Sequence, residues 1–408
     1  MGYTRQIVKG ITWIGSFRIL TRAISFGRTL VLARILTPAQ FGFFGIGALV
    51  LALSELLTET GINILLVQKK DISREYLNTA WVISIIRGFA IGIVMFLISL
   101  PVSVFFNMPE TFILIIFLSL VPVIRGFINP LRALLIKDLR YKDDFLYNTF
   151  LFSVEAIVAI IASYYTKSAI GLVYGLLASA LSDVLLSFIL FKPFPSLSFE
   201  KRVFLEIVHH GKWLTANGVM NYLYQNIDNI VIGKILGASS LGLYDVIYKT
   251  SLLPLTEIAD VVGKVTFPVY VKMNDDIKRL RNAYIKSSVF IFLSSVVFAS
   301  VLIVFARQII LILLGAQWVN GVTFLYILAI LGVFRAMFSS VVYPLYSLKK
   351  QRNVSIITFI ALATILITII PFTNNWGLPG ASFSALLGAI VATPIAFYLL
   401  LKEFNPKS

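Results

Sequence analysis

Apolar runs of eighteen or more residues recur along the whole chain, separated by short clusters of Lys, Arg, Asp, Gly and Pro. Such runs match the hydrocarbon thickness of a bilayer, so the pattern predicts a polytopic helical membrane protein. The spans read as 11–36, 41–67, 80–106, 111–136, 144–165 and 169–191, then 213–236, 241–270, 284–306, 322–348, 353–372 and 378–401. Between the two groups of six lies the longest internal connection, "KPFPSLSFEKRVFLEIVHHGK", in which Pro193 and Pro195 break any continuous helix. The expected organisation is an N-terminal six-helix lobe over 1–191, a cytoplasmic linker over 192–212 and a C-terminal six-helix lobe over 213–408. The fold class is all-α and integral to the membrane.

Shifting the chain by 200 residues tests whether the halves are copies. Ile7, Val8, Trp13, Val31, Ile35, Leu36 and Gly42 then match Ile207, Val208, Trp213, Val231, Ile235, Leu236 and Gly242, and "LVLARILTPAQFGFF" faces "IVIGKILGASSLGLY". The shared order of span, tight turn and span indicates duplication. Six spans is an even number, so the two copies have parallel topology. Transporters built this way hold their substrate in a central cavity between the halves and alternate its access by rocking them. A duplicated scaffold that transports nothing is the bland alternative.

Composition sharpens this picture. Residues are 58% hydrophobic and 13% charged, with a mean hydropathy of +0.90, whereas charged residues run near 25% in ordinary soluble domains. The formal net charge is +16, yet the basic residues sit mostly in short loops and not on a soluble face, so nucleic acid is not an expected partner. With both termini inside, cytoplasmic segments such as "VQKKDISREY", "KDLRYK", "KMNDDIKRLR" and "LKKQRN" hold 22 Lys and Arg, against Lys167 and Arg307 outside. That bias sets the orientation. No cleaved signal peptide is read at the N-terminus. The chain has no cysteine, which excludes disulfides and thiolate metal sites.

Several spans carry charge, which is costly in hydrocarbon and marks candidate functional positions. At 100° per residue, Arg18, Thr21, Arg22, Ser25 and Arg28 share an arc of about 120° on the first helix, while Arg34 lies opposite and near the outer end, placed to snorkel. Across the first turn, depth pairs Arg22 with Glu55 and Arg18 with Glu59. Two readings stand for these residues: structural ion pairs between neighbouring helices, or part of an anion site. Arg28 falls level with Leu49 and has no acid on the adjacent helix, making it the most suggestive of the set. Arg87, Arg125 and Arg132 follow in helices three and four, where Pro122 and Pro130 free backbone groups. Against these the first half offers Glu55, Glu59, Glu155 and Asp183, leaving a surplus of three positive charges. In the second half, Lys234, Lys249, Lys264 and Arg335 balance Asp228, Asp245, Glu257 and Asp260. The seventh helix presents Asn217, Asn221, Tyr224, Gln225 and Asp228 on one face. Asp228 is level with Lys249, so a structural Asp228–Lys249 pair competes with a role in binding sugar hydroxyls or a coupling cation.

A diphosphate suits unpaired arginines, because guanidinium binds phosphate oxygens in bidentate, charge-assisted bonds. "LARILTPAQFGFFGIG", "KILGASSLGLYDVIYKTSLLPL" and "LLGAQW" resemble the oligosaccharide/polysaccharide flippases, relatives of the multidrug-and-toxin exporters, over essentially the whole chain. The resemblance implies two six-helix lobes around a central cavity. The implied cargo is an undecaprenyl-diphosphate-linked oligosaccharide, turned from the inner to the outer leaflet of the bacterial cytoplasmic membrane for cell-surface polysaccharide assembly. Arg18, Arg22, Arg28, Arg87 and Arg125 are then the candidate anion ligands, and Asp228 and Glu155 the candidates for proton or sodium coupling. No cofactor is expected. The expected partners are the lipid-linked cargo, membrane lipids and polysaccharide assembly proteins, with the chain itself a monomer. Twelve spans, where the peptidoglycan-precursor branch typically has fourteen, speak against that precursor as cargo.

Two other functions compete. A multidrug exporter shares the architecture, but organic cations favour an acidic cavity, against the first-half surplus. A membrane polymerase or ligase would act on the same lipid-linked sugars. The longest outer connection, about 307–321, contains no acid or histidine, and His209 and His210 are too few for a metal site. Neither a GxxxxGK[ST] loop nor a GxSxG elbow occurs. The chain is expected to be a transporter and not an enzyme.

Overall fold

The computed structural model describes residues 20–58, 62, 65–66 and 73–404; for 208–217, 220, 253 and 254 it describes the backbone alone. Two compact units, Met1–Tyr222 and Leu223–Ser408, make up the chain. Helices of the first are α1 (20–35), α2 (Pro38–Leu57), α3 (Arg74–Phe106), α4 (Glu110–Leu118), α5 (Leu120–Gly126), α6 (Leu134–Lys137), α7 (Tyr141–Thr166) and α8 (Ile170–Leu190). A long helix, α9 (Lys201–Lys272), leads into the second unit, followed by α10 (Ile277–Val304), α11 (Ala306–Leu313), α12 (Val322–Ser347) and α13 (Gln351–Phe404).

Among the described residues, eight helices are long and apolar enough to cross a membrane, or nine with the bent pair Glu110–Gly126 and Pro130–Lys137. Two of them are longer than one crossing. At 1.5 Å per residue, α13 would extend about 80 Å, more than twice the hydrocarbon core. It breaks at Gly377, whose φ of 61° is left-handed. In α9 the break falls at Gly237, with φ 82°, a conformation that only glycine adopts without strain. The first unit turns at the position equivalent by the 200-residue shift: α1 ends before Thr37, which caps α2 in a reciprocal bond with Gln40. Each unit thus carries the repeat's first turn in the same register, and counting a span on each side of every break is consistent with twelve.

The fourth predicted span, 111–136, is not one rod. It breaks before Pro130, and the two parts meet at 77°. Asn129, fully buried, stabilises the break: its amide nitrogen reaches the Phe191 carbonyl, its side-chain oxygen accepts from Leu131 N–H, and its own N–H donates to Ser187 Oγ. Backbone groups freed in an apolar setting need such partners.

Lipid takes the place of water as the solvent. On α3, Ile93, Leu97 and Leu100 face outward while Asn78, Thr79, Ser99 and Ser103 are buried. With apolar faces outside, helices associate through close packing of small residues. Gly88 of α3 lies against the Pro122 carbonyl and Gly126 of α5, and Gly175 of α8 lies against α7, where a Cβ would come within 2.7 Å of the Glu155 carbonyl. The linker joins this packing. Ser196 N–H donates to Asn78 Oδ1 and Glu200 N–H to Thr79 Oγ1, while Val203 and Ile207 bury against Tyr76, Ala80, Ile83 and Ala133. Tyr222 OH then donates to the Leu49 carbonyl at 2.7 Å. The segment from 192 to 222 is therefore part of the first compact unit and not a free tether.

Substituting Gly88 by Val is expected to force α3 from α5 and cost about 1–3 kcal/mol of stability. Gly27→Ala, with nothing within 4 Å of the new methyl, should be neutral or slightly stabilising in detergent-solubilised thermal melts.

Candidate functional site

Three of the first unit's intramembrane acids each take an arginine from a helix that is not their neighbour in sequence. Arg28 Nη1 donates to Glu155 Oε1, tying α1 to α7, with side-chain exposures of 23% and 13%. Arg125 Nη1 bonds Glu55 Oε1 at 2.9 Å, joining α5 to α2. Arg132 Nη1 bonds Asp183 Oδ2 at 2.6 Å. The acids of the first and third pairs are largely shielded, whereas the Arg125–Glu55 pair is about one-third exposed on both sides; removing one partner of a shielded pair leaves an uncompensated charge.

These contacts correct the depth-based expectations. Glu55 is held by Arg125 and not by Arg22, because α5 presents its arginine to the face of α2 that carries the carboxylate. Arg28 has no acid on α2, as read, but is matched by Glu155 from further along the chain. Arg22 is exposed. Arg18 and Glu59, and hence their expected pair, lie outside the described residues. Arg87 donates from Nη2 to the Glu55 carbonyl at 2.7 Å and from Nε to Thr58 Oγ1 at 3.2 Å. It therefore sits at the C-terminal end of α2, where the helix dipole favours a cation. Arg87 and Arg125 both converge on Glu55, one on its backbone and one on its carboxylate.

The three pairs differ in how firmly they are built. Asp183 also accepts from Tyr147 OH at 2.6 Å, and Arg132 lies over the Tyr147 ring at 4.7 Å and donates to Asn148 Oδ1 at 2.7 Å. This is a closed network between the bent segment, α7 and α8. Arg28, by contrast, has one hydrogen bond to one carboxylate oxygen, and its Nε is buried with no hydrogen-bond partner among the described residues.

The second unit uses a different chemistry. Asp228, 4% exposed, accepts from Tyr244 OH at 2.8 Å and from Asn229 N–H at 2.9 Å. Lys249 does not reach it; Lys249 bonds Asp245 one turn away at 2.6 Å. The expected Asp228–Lys249 pair is thus replaced by a tyrosine–carboxylate bond, since i,i+4 spacing brings Asp245 to the lysine first. Tyr244, which holds Asp228, packs on the Tyr248 ring with centroids 5.6 Å apart, and Tyr248 in turn meets Arg335 of α12. Arg335 Nη1 bonds Tyr248 OH, and the guanidinium lies 5.3 Å from the Tyr248 ring and 5.7 Å from the Tyr224 ring, distances at which aromatic faces attract a cation. Tyr224 and Asp228 of the predicted polar face therefore enter one cluster, while Asn221 and Gln225 are exposed and the Asn217 side chain lies outside the described residues. Tyr244 and Tyr248 were not singled out by sequence reasoning, which counted Arg335 only as a charge balancing the second-half acids. Their signal was present in Arg335, a lone arginine inside an apolar span.

Asp183→Asn is expected to unfold the protein more readily than Lys249→Ala. The first leaves Arg132 without its charge partner, at a cost of about 3–5 kcal/mol. The second removes a half-exposed pair worth less than about 1 kcal/mol. Thermal melts of the two purified variants make the comparison.

Comparison with known proteins bears on what this framework is. The chain is 24% identical over 405 residues to the lipopolysaccharide biosynthesis protein WzxC of Escherichia coli strain K12, covering 98% of this chain and 82% of that protein. Its fold is similar to that of the lipid II flippase MurJ in an inward closed conformation, with a TM-score of 0.75 at 17% identity over 95% of this chain and 88% of that one. It also resembles an inward-facing multidrug resistance transporter of the MATE family, with a TM-score of 0.69 at 14% identity over 94% of each chain. A family model described as polysaccharide biosynthesis protein matches residues 31–323, well over half the length. The chain is a multi-pass membrane protein that belongs to the polysaccharide biosynthesis protein family.

Proposed function

We propose that this protein flips an undecaprenyl-diphosphate-linked oligosaccharide from the inner to the outer leaflet of the bacterial cytoplasmic membrane, for cell-surface polysaccharide assembly. It is a secondary transporter working by alternating access, with both termini cytoplasmic, and not an enzyme. The observation that carries the reading is the charge inside the first unit. Its described acids, Glu55, Glu155 and Asp183, are each committed to one arginine. Seven intramembrane arginines against four acids still leave an excess of positive charge. A low-dielectric region with that excess favours a multiply charged anion, and guanidinium groups match phosphate oxygens. The same excess opposes an organic cation. WzxC is named for lipopolysaccharide biosynthesis, which supports a lipid-linked sugar as cargo. Arg28, whose guanidinium keeps an unfilled buried donor, is the principal phosphate ligand, with Arg22, Arg87 and Arg125 as further anion ligands.

Coupling belongs to the second unit. Asp228 exchanges a proton during the cycle, with Tyr244 OH and Asn229 N–H holding its oxygens and Arg335, Tyr248 and Tyr224 beside it. A sodium ion would meet the repulsion of Arg335 and a carboxylate already occupied by two donors. The monomer is the working form.

Thermal stabilisation of the purified protein tests the assignment, because a bound ligand stabilises the folded state in proportion to the logarithm of its concentration over Kd. Undecaprenyl diphosphate should raise the melting temperature of the wild type and of Asp228→Asn, and fail to raise that of Arg28→Ala. Asp228→Asn should also lose dependence of transport on a proton gradient. Stabilisation by a lipophilic drug cation alone would make the protein a drug exporter and the arginines purely structural.

A further inference from the structure

The contrast between the Asp183 and Glu155 pairs has a functional meaning. Asp183 is locked by Arg132, Tyr147 OH and the Tyr147 ring packed under the guanidinium. Glu155 holds Arg28 through a single oxygen on a single Nη, and both side chains keep some exposure, 13% and 23%. Arg28 Nε, on the same planar fork, is buried with no hydrogen-bond partner among the described residues. A carboxylate filling part of a guanidinium leaves it under-bonded, and a phosphate group, with more oxygens and more charge, binds the same fork better. Glu155 itself is held in place from behind: Gly175 of α8 packs against its backbone carbonyl, so the helix that carries it is fixed while its side chain is the exchangeable part.

We infer that Glu155 is a specificity-determining residue, a resident competitor that occupies Arg28 when no cargo is bound. This rests on the reading of Arg28 as a phosphate ligand. A bilayer offers a large excess of singly charged phosphodiester headgroups to any exposed arginine inside it. Displacing Glu155 imposes the same penalty on every incoming anion. Singly charged headgroups bind too weakly to meet it at their membrane concentration, whereas a diphosphate, doubly charged even when esterified at both ends, meets it. The carboxylate thereby keeps the transporter's anion site clear of the membrane's own lipids. No bond is made or broken in the exchange: Glu155 leaves Arg28 as the phosphate arrives.

Binding of undecaprenyl diphosphate to wild type, Glu155→Gln and Arg28→Ala in nanodiscs of phosphatidylcholine or of phosphatidylglycerol tests this directly. In phosphatidylcholine, Glu155→Gln should bind about tenfold more tightly than wild type, about one RT ln 10 of recovered affinity. In phosphatidylglycerol that advantage should vanish as the lipid headgroup takes the vacated arginine, while the wild type changes little between the two discs. Arg28→Ala should bind weakly in both. If Arg28→Ala loses binding but Glu155→Gln binds no better than wild type in phosphatidylcholine, Glu155 merely supports Arg28 and the competitor role is wrong, although the phosphate reading survives. If Arg28→Ala binds like wild type, the phosphate reading itself fails. Melting temperatures without ligand identify any loss of fold. Should Glu155→Gln not fold, Glu155→Asp, which keeps the charge and withdraws it by one methylene, should still bind more tightly than wild type, and equal binding would refute the inference.

Discussion

An arginine in hydrocarbon must be neutralised, and the first unit is arranged around that requirement. Its helices have little hydrophobic reason to prefer one another, because lipid tails are as apolar as leucine. Charge pairing supplies the direction that apolar packing lacks. Arg28–Glu155 joins α1 to α7, Arg125–Glu55 joins α5 to α2, and Arg132–Asp183 joins the bent segment to α8. Glycines such as Gly88 and Gly175 then let backbones close to contact between the paired helices. A surplus of positive charge remains inside the same unit.

The second unit meets the same requirement without a direct carboxylate bond to its central arginine. Arg335 is held by the Tyr248 hydroxyl and two tyrosine rings, and Asp228 is held by Tyr244 and a backbone N–H. Among the described residues, cation and anion share no hydrogen bond; Tyr244 and Tyr248, with ring centroids 5.6 Å apart, link the two. The buried polar residues thus differ between the units: guanidinium–carboxylate pairs in the first, and an arginine among tyrosines in the second.

Much of the scaffold was legible in the chain because it depends on one-dimensional properties. Span length, the alternation of apolar runs with basic loops and the turns at Thr37 and Gly237 follow from local composition. Partner choice did not, for a specific reason. Equal depth on sequence-adjacent helices points to Arg22–Glu55 and Asp228–Lys249. The pairs that form link residues 127, 70 and 51 positions apart, and which helices become neighbours, and at what rotation, is a property of lateral packing. Depth alone was informative: Arg28 lies ten residues before the first outer turn at Pro38 and Glu155 twelve before the outer turn at Lys167. The same comparison extended to every helix would have put these two level. The aromatic setting of Arg335 had no such signal, since tyrosines at 244 and 248 read equally well as ordinary interfacial or core residues. The sharp bend before Pro130 was signalled by the proline, but its support by Asn129 and Ser187 was not.

Leaflet transfer of the proposed cargo is the most direct measurement. Purified protein in sealed liposomes would be supplied with a fluorescent undecaprenyl diphosphate oligosaccharide, and the fraction of label open to a membrane-impermeant quencher followed with time under an imposed proton gradient. Transfer across the bilayer at a rate well above protein-free liposomes, and abolished in Arg28→Ala, is the expected result. Equal rates with and without the protein, under a gradient that sustains its folded form, would contradict the flippase function itself.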